Sequence, residues 1–283
     1  MNVVADRNNS LDGQALPRPS ALITGAAGGI GGSFAKLLAQ QGYRLYLVDR
    51  DADALARVAE SLNGDHATVV ADVSSAEAWS DLAQRIESDA AQLGLLVNCA
   101  GFLLAGRLAE CQPEQIERLV GVNLVGTMHG CRAMVPLIAQ SDVQGPLPRG
   151  VINVASIFAA VSPPQFSVYS ASKAGVVALT ESLRGELHSL GLTATVVLPG
   201  VTPTGLFDRA EYTGQRLREA IRDYLDSAEL TPDQVAEESI EAYRRGRATA
   251  VIGQKATWYA RLKRLMPERL IQSVAKRFAQ QLD

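Results

Sequence analysis

Hydrophobic positions along this chain fall into short uninterrupted apolar runs that alternate with longer amphipathic ones. Ala21–Ile23 is the first apolar run; a glycine-rich turn follows, then a stretch of helical period from Gly31 to Gln41. The order repeats as strand Arg44–Val48 and helix Ala52–Leu62, then strand Ala67–Val70 and helix Ala76–Ala91. Leu95–Asn98 precedes a long helical stretch, Pro113–Ile138, and Val151–Val154 precedes another, Tyr169–Leu190; Thr193–Leu198 is the last clear strand. Strands that are apolar at every position, rather than at every second one, are buried on both faces. Alternation with helices then predicts an α/β fold, a doubly wound parallel sheet covered on both sides, in a single domain.

Composition agrees with that picture and narrows it. Hydrophobic residues are 47% of the 283 and charged residues 20%, enough for a packed core and too apolar for a disordered chain. The net charge of −3 and an aromatic content of 5% offer no footprint for nucleic acid, so none is expected as a partner. Cys99, Cys111 and Cys131 show no CxxC spacing and read as reduced thiols of a cytoplasmic protein. His66, His129 and His188 are too far apart in sequence to suggest a metal site, and no metal is expected. Residues 1–19 are polar and punctuated by Pro17 and Pro19, as in a loose arm, with no apolar core of a signal peptide. Residues 20–253 carry the strand–helix alternation, and 254–283 extend beyond it.

Charge is unevenly spread. Arg244 to Asp283 carries a net +8, so the preceding residues carry −11. In Ala256–Met266, Trp258, Leu262, Leu265 and Met266 share one side, with Arg261, Lys263 and Arg264 on another; Leu270, Ile271, Val274 and Phe278 repeat the pattern after Pro267. A basic amphipathic helix fits an anionic membrane. The simpler expectation is that it packs on the acidic body or at a subunit interface, with Trp258 buried in protein.

The chemistry begins at Thr24-Gly25-Ala26-Ala27-Gly28-Gly29-Ile30-Gly31, directly between the first strand and the first helix. Glycines at 25, 29 and 31 clear the way for a pyrophosphate to reach backbone N–H groups at a helix N-terminus. Asp49 ends the next strand, where a carboxylate accepts ribose hydroxyls and repels a 2′-phosphate. Tyr169 and Lys173, in Tyr169-Ser170-Ala171-Ser172-Lys173, lie on one face of a helix. An ammonium beside the phenol is expected to lower its pKa from about 10 toward neutrality, making a base for an alcohol proton. Ser156, thirteen residues earlier at a strand end, supplies a hydroxyl that can hold the substrate oxygen.

The T-G-x-x-x-G-x-G spacing resembles the short-chain dehydrogenase/reductase superfamily, a Rossmann-type fold, over roughly residues 20–253. The resemblance implies that Asp72-Val73 contacts adenine, that Asn98-Cys99-Ala100-Gly101 stands for the N-N-A-G segment with Cys99 replacing an Asn, and that Pro199-Gly200 and Thr204 hold the nicotinamide carboxamide. It further implies that Ser156 is the family's serine, that Asn123 holds a water linking Lys173 to solvent, and that Lys173 bonds the nicotinamide ribose. NADP-preferring members place Arg or Lys in the turn or at the end of the second strand; here the turn has Ala26, Ala27 and Gly28 and the strand ends in Asp49, with Arg50 after it. NAD is therefore expected over NADP. The family's long helices imply a homodimer or homotetramer.

The substrate cleft is expected from Leu103–Leu104, Ile157–Pro164 and the segment 201–225, with Ile157, Phe158, Val161, Leu206 and Phe207 as apolar walls. Such walls suit an apolar secondary alcohol or ketone. The alternatives are an NADPH-dependent carbonyl reductase and a non-catalytic dinucleotide sensor; the sensor is disfavoured because both Tyr169 and Lys173 are present.

Overall fold

The computed structural model describes residues 18–207, 209–214, 218–219, 228, 230–266, 268–269 and 272–273. The arm before Arg18, most of the second half of segment 201–225, and Leu270, Ile271, Val274 and Phe278 of the tail lie outside the described residues. Seven parallel strands form one sheet in the order β3-β2-β1-β4-β6-β7-β9. They are β1 (Pro19–Thr24), β2 (Arg44–Asp49), β3 (Ala67–Val70), β4 (Gln92–Asn98), β6 (Gly150–Val154), β7 (Thr193–Pro199) and β9 (Thr249–Ile252). A second, two-stranded sheet pairs β5 (Leu104–Ala105) with β8 (Glu211–Tyr212). The doubly wound Rossmann-type fold is as expected.

Both faces of the sheet are covered because its strands are apolar throughout. On one face Phe34 and Leu38 of α1 (Gly29–Gln40), Leu55 of α2 (Ala52–Glu60) and Val235 and Tyr243 of α8 (Pro232–Arg244) pack against Ile23, Leu47 and Val97. On the other, Trp79 and Leu82 of α3 (Ala76–Ser88), Met134 and Ile138 of α5 (Gly126–Gln140) and Leu187 of α7 (Ser167–His188) meet Leu22, Tyr46 and Leu96. The strand order reverses between β1 and β4, so the chain leaves these two strands in opposite directions and opens a crevice at their C-terminal ends.

Two differences from the sequence reading affect the site. The continuous helix expected over Pro113–Ile138 is α4 (Pro113–Val120) and α5, joined by a π-helical turn, Gly121–Val125, that carries Asn123. Single π turns inside helices redirect side chains, here at a residue expected to be functional. Thr193–Leu198 is also not the last strand: α8 and β9 add an α/β unit at the sheet's edge. β9 has only four residues, with Thr249 exposed and Val251 half-exposed, and its apolar run is the short Ala250–Ile252. The start of α8 does carry a signal, a capping box in which Thr231 accepts from the Gln234 N–H at 3.2 Å while Thr231 N–H donates to Gln234 Oε1 at 2.9 Å.

Candidate active site

The crevice begins at the glycine turn. Gly25 has φ +66°, and a Cβ there would lie 2.8 Å from the Ala100 backbone, so β1 and β4 approach too closely for any side chain. Helix α1 has Gly28 at its N-cap, with no side-chain cap and no acidic residue in its first turn. Its N–H groups and the positive end of its dipole therefore face a cleft lined by Gly25, Gly28, Gly29, Ile30 and Gly31. This arrangement fits the pyrophosphate of a dinucleotide. Segment 199–204 closes over the same helix end: a Cβ on Gly29 would meet Thr204 Cγ2 at 3.1 Å, and Pro199, Gly200 and Thr204 all line the cleft.

The other expected cofactor residues frame the cleft from behind. Asp49 Oδ2 accepts from the Ala27 N–H at 3.0 Å and Oδ1 from the Asp51 N–H at 3.2 Å, which fixes the carboxylate against the glycine turn. Arg50 is exposed beside it. Asp72 is exposed and accepts from the Ser74 N–H and hydroxyl, while Val73 is buried with its carbonyl on Trp79 Nε1. Thr24 Oγ1 accepts from the N–H groups of both Cys99 and Ala100 at 3.1 Å, tying the end of β1 to the turn after β4. Asn98 is buried, donating to Asn153 Oδ1 at 2.8 Å, and Asn153 in turn donates to Thr180.

The reactive groups converge at the far end. β6 delivers Ser156, whose oxygen accepts from the Phe158 N–H at 3.2 Å and caps the short helix α6 (Ile157–Ala160). The Ser156 hydroxyl stands near enough to the Tyr169 phenol to favour its ionised form. One turn along α7, Lys173 Nζ donates to the Val154 carbonyl at 2.9 Å. Ser156, Tyr169 and Lys173 all face the same cleft as the glycine turn. Asn123, fully buried, donates from Nδ2 to the Phe102 carbonyl at 3.0 Å and to Ser172 Oγ at 3.3 Å, and accepts the Phe102 N–H on Oδ1. Gly101 lies between the two, where a Cβ would come within 3.0 Å of Asn123 Oδ1 and 3.3 Å of Lys173 Nζ.

Residues 19–213 match the short chain dehydrogenase family. The chain belongs to that family. An uncharacterized oxidoreductase of Staphylococcus saprophyticus is 31% identical over 230 residues, 80% of this chain and 91% of that one. A short-chain dehydrogenase/reductase of Burkholderia phymatum, solved with NAD, superposes with a TM-score of 0.79 at 30% identity, covering 89% of this chain and 95% of that one. A Sphingobium yanoikuyae short-chain dehydrogenase, solved with NADPH, gives 0.70 at 27% identity over 86% and 91%. This chain is an oxidoreductase of the family, acting on CH–OH with NAD or NADP.

In this dehydrogenase the expected lowering of the Tyr169 pKa is not what the protein's own groups produce. Burial pushes the phenol up to about 12, with the Ser156 hydroxyl acting the other way, and pulls Lys173 down to about 8. Desolvation opposes both charged forms, and it wins because the two groups are buried together. Cys99, in the Asn position of the family segment, lines the cleft with its thiol pushed up to about 12 by burial, so it is a neutral wall and not a nucleophile.

The cleft as a whole, open mouth included, encloses about 960 Å³, and beyond the glycine turn Leu103, Ile157, Phe158, Leu206 and Phe207 stand in its walls. Phe158 stands edge-on to Phe166 (4.9 Å between centroids) and to Tyr169 (6.2 Å). Val161, also expected in these walls, is buried at the end of α6. The sequence reading missed Val154 and Ala155, which line the cleft where β6 ends and carry no chemical signature; Val201 and Thr202 line it as part of the segment 201–225. It also missed Ser172, which links Asn123 to the Tyr169 carbonyl at 2.7 Å and was legible only as a filler of the Tyr-to-Lys spacing.

Proposed function

We propose that this enzyme interconverts an apolar secondary alcohol and its ketone, using NAD(H) in preference to NADP(H). The observation that carries the reading is the junction of Ser156, Tyr169 and Lys173 with a cleft otherwise walled by Leu103, Phe158, Leu206 and Phe207. When bound, the nicotinamide cofactor supplies the hydride acceptor or donor. Tyr169 takes the alcohol proton in oxidation and returns it to the forming alkoxide in reduction. Ser156, held by the Phe158 N–H, donates to the same substrate oxygen and fixes its position. Lys173 offers its ammonium to the ribose and to the phenolate, and Asn123 braces the turn against which Lys173 lies.

The preference for NAD is supported by Asp49, whose carboxylate is held on the glycine turn with no basic residue in the turn itself. The same reading has the protein cytoplasmic, with its thiols reduced, and assembling as a dimer or tetramer through the helical region from α4 to α5 and through α7. The test is a panel of hydrophobic alcohols and ketones followed by NADH absorbance, repeated with Tyr169→Phe. That variant keeps the ring and removes the proton-carrying oxygen, so turnover is expected to fall by about two to four orders of magnitude with cofactor affinity unchanged. Full turnover in the variant, or a wild type active only on charged or sugar substrates, overturns the reading.

A further inference from the structure

Helix α9 (Gln254–Leu265) buries Ala256 against the body and leaves Trp258 and Leu265 exposed, with Leu262 half-buried. Ala256 is buried next to the cleft, where a Cβ on Gly200 would meet its methyl at 3.2 Å, and the Thr257 hydroxyl bonds back to the Gly253 carbonyl at 2.9 Å. On the opposite face Trp258, Leu262 and Leu265 follow one another at helical spacing. Trp258 is 57% and Leu265 79% exposed, with exposed Met266 directly after them. Trp258 also stacks edge-on to Tyr259, 5.2 Å between centroids. The burial of Trp258 expected from packing on the acidic body is thus not found within the protomer. A helix held only by its own domain buries its large apolar side chains, and this one presents them.

We propose that α9 docks on an anionic lipid bilayer. Exposed Arg261 and Arg264 flank the apolar stripe, and residues 254–283 carry seven Lys/Arg against two Asp/Glu. The chain continues in the same manner, with Leu270, Ile271, Val274 and Phe278 among Arg269, Lys276 and Arg277. Folding this basic segment back on α9, or pairing two copies of α9, sets like charges against each other. The body of a second copy has the right sign of charge, but among the described residues its exposed large hydrophobics outside α9 are Val70, Leu108, Met128 and Leu190, each from a different segment of the chain. A bilayer surface satisfies each feature. Trp and Tyr prefer its interface, Leu and Met reach the acyl boundary, and Arg and Lys meet anionic headgroups. The contact is peripheral, since no helix among the described residues is long and apolar enough to cross a membrane.

The chain has two tryptophans, and Trp79 is buried at 3% exposure, so a change in tryptophan emission on adding lipid reports Trp258. The full-length protein is expected to co-sediment with phosphatidylglycerol/phosphatidylcholine vesicles, with a blue shift in emission, and not with phosphatidylcholine alone. Raising salt from about 0.1 to about 0.5 M should release it, because the Debye length shrinks below the headgroup contact range. Trp258→Ser with Leu265→Ser should weaken binding by about tenfold or more, while melting temperature and NADH binding stay unchanged. Arg261→Glu with Arg264→Glu provides a second route to the same loss. No sedimentation with the anionic vesicles, or unaltered binding in both variants, overturns the proposal. So does a blue shift that grows with protein concentration in the absence of lipid, which would assign the face to a second copy of the chain.

Discussion

Phe102 and Asn123 exchange two hydrogen bonds, the Phe102 N–H to Oδ1 and Nδ2 to the Phe102 carbonyl, each at 3.0 Å. This pair fixes the turn after β4 to the π turn between α4 and α5, and Gly101, next in sequence to Phe102, forms the wall against Lys173. Removing the amide in Asn123→Ala leaves a buried N–H and a buried carbonyl without partners, at a cost of about 1–3 kcal/mol for each group. Melting temperature and turnover should fall together. Asn123→Asp keeps the acceptor for the Phe102 N–H but turns a carboxylate oxygen on the Phe102 carbonyl, and should not rescue either. Wild-type turnover in Asn123→Ala would remove Asn123 from the machinery.

The pKa directions at Tyr169 and Lys173 set an asymmetric pH dependence. Alcohol oxidation needs the phenolate, and with the phenol pushed up to about 12 that form grows with pH across the working range. Ketone reduction needs the phenol, which is protonated throughout that range. Both directions use the Lys173 ammonium, which is lost as pH rises through about 8. Oxidation should therefore climb with pH up to about 8 and then level, as growing phenolate offsets the lost ammonium, while reduction is level on the acid side of about 8 and declines above it. Initial rates in both directions across pH 6 to about 10 check this. A bell with its maximum near pH 7 for oxidation would mean that bound cofactor resets the phenol.

These directions mark the limit of what the sequence makes legible. Ala21–Ile23 and Leu95–Asn98 read correctly as parallel strands because burial on both faces leaves an uninterrupted apolar run. Tyr169 and Lys173 read correctly as one helix face because a spacing of four is a local property. The sign of the Tyr169 shift is not local: it depends on how completely β6, α6 and the segment after β7 remove water, which no spacing reports. β9 escaped notice because its apolar run is only Ala250–Ile252 and, at the sheet's edge, Thr249 and Val251 are not fully buried. Thr24 and Asn98 lie in the right motifs, yet their side chains are engaged by backbone and by Asn153, and a motif does not say which way a side chain turns. In α9 the helical period groups Trp258 with Leu262 and Leu265, but only packing shows that Ala256 faces the body.

Asp49 combines two tasks that separate by substitution. Its charge opposes a 2′-phosphate, and its Oδ2 holds the Ala27 N–H at 3.0 Å. Asp49→Ala should weaken NAD binding and improve NADP binding by about 1–3 kcal/mol in ratio, and lower the melting temperature as the glycine turn loosens. Asp49→Asn retains an acceptor for Ala27 and should shift the cofactor ratio with less loss of stability. Titration of both dinucleotides against each variant measures the ratio. An unmoved ratio in both variants would assign the choice to another group, Arg50 being the nearest in sequence.

Gly31 and Gly32 are neighbours in the first turn of α1, and the geometry assigns them opposite responses to the same substitution. A Cβ on Gly31 would lie 2.1 Å from the Gly25 carbonyl oxygen, 2.7 Å from its carbon and 3.1 Å from Ala26 Cα. All three are backbone atoms, so no rotamer change relieves the clash, and either the turn or the helix start must move. Gly31→Ala should therefore lower the melting temperature and weaken NADH binding by about an order of magnitude or more, because it displaces the N–H groups that face the pyrophosphate. A Cβ on Gly32 meets only the Ala26 carbonyl oxygen, at an ordinary 3.5 Å. There the helix propensity of alanine prevails, a gain of up to about 1 kcal/mol with cofactor binding retained. Thermal denaturation and NADH titration of the two variants decide the matter: a destabilised Gly32→Ala, or a Gly31→Ala that binds NADH normally, would show that the turn does not pack as described.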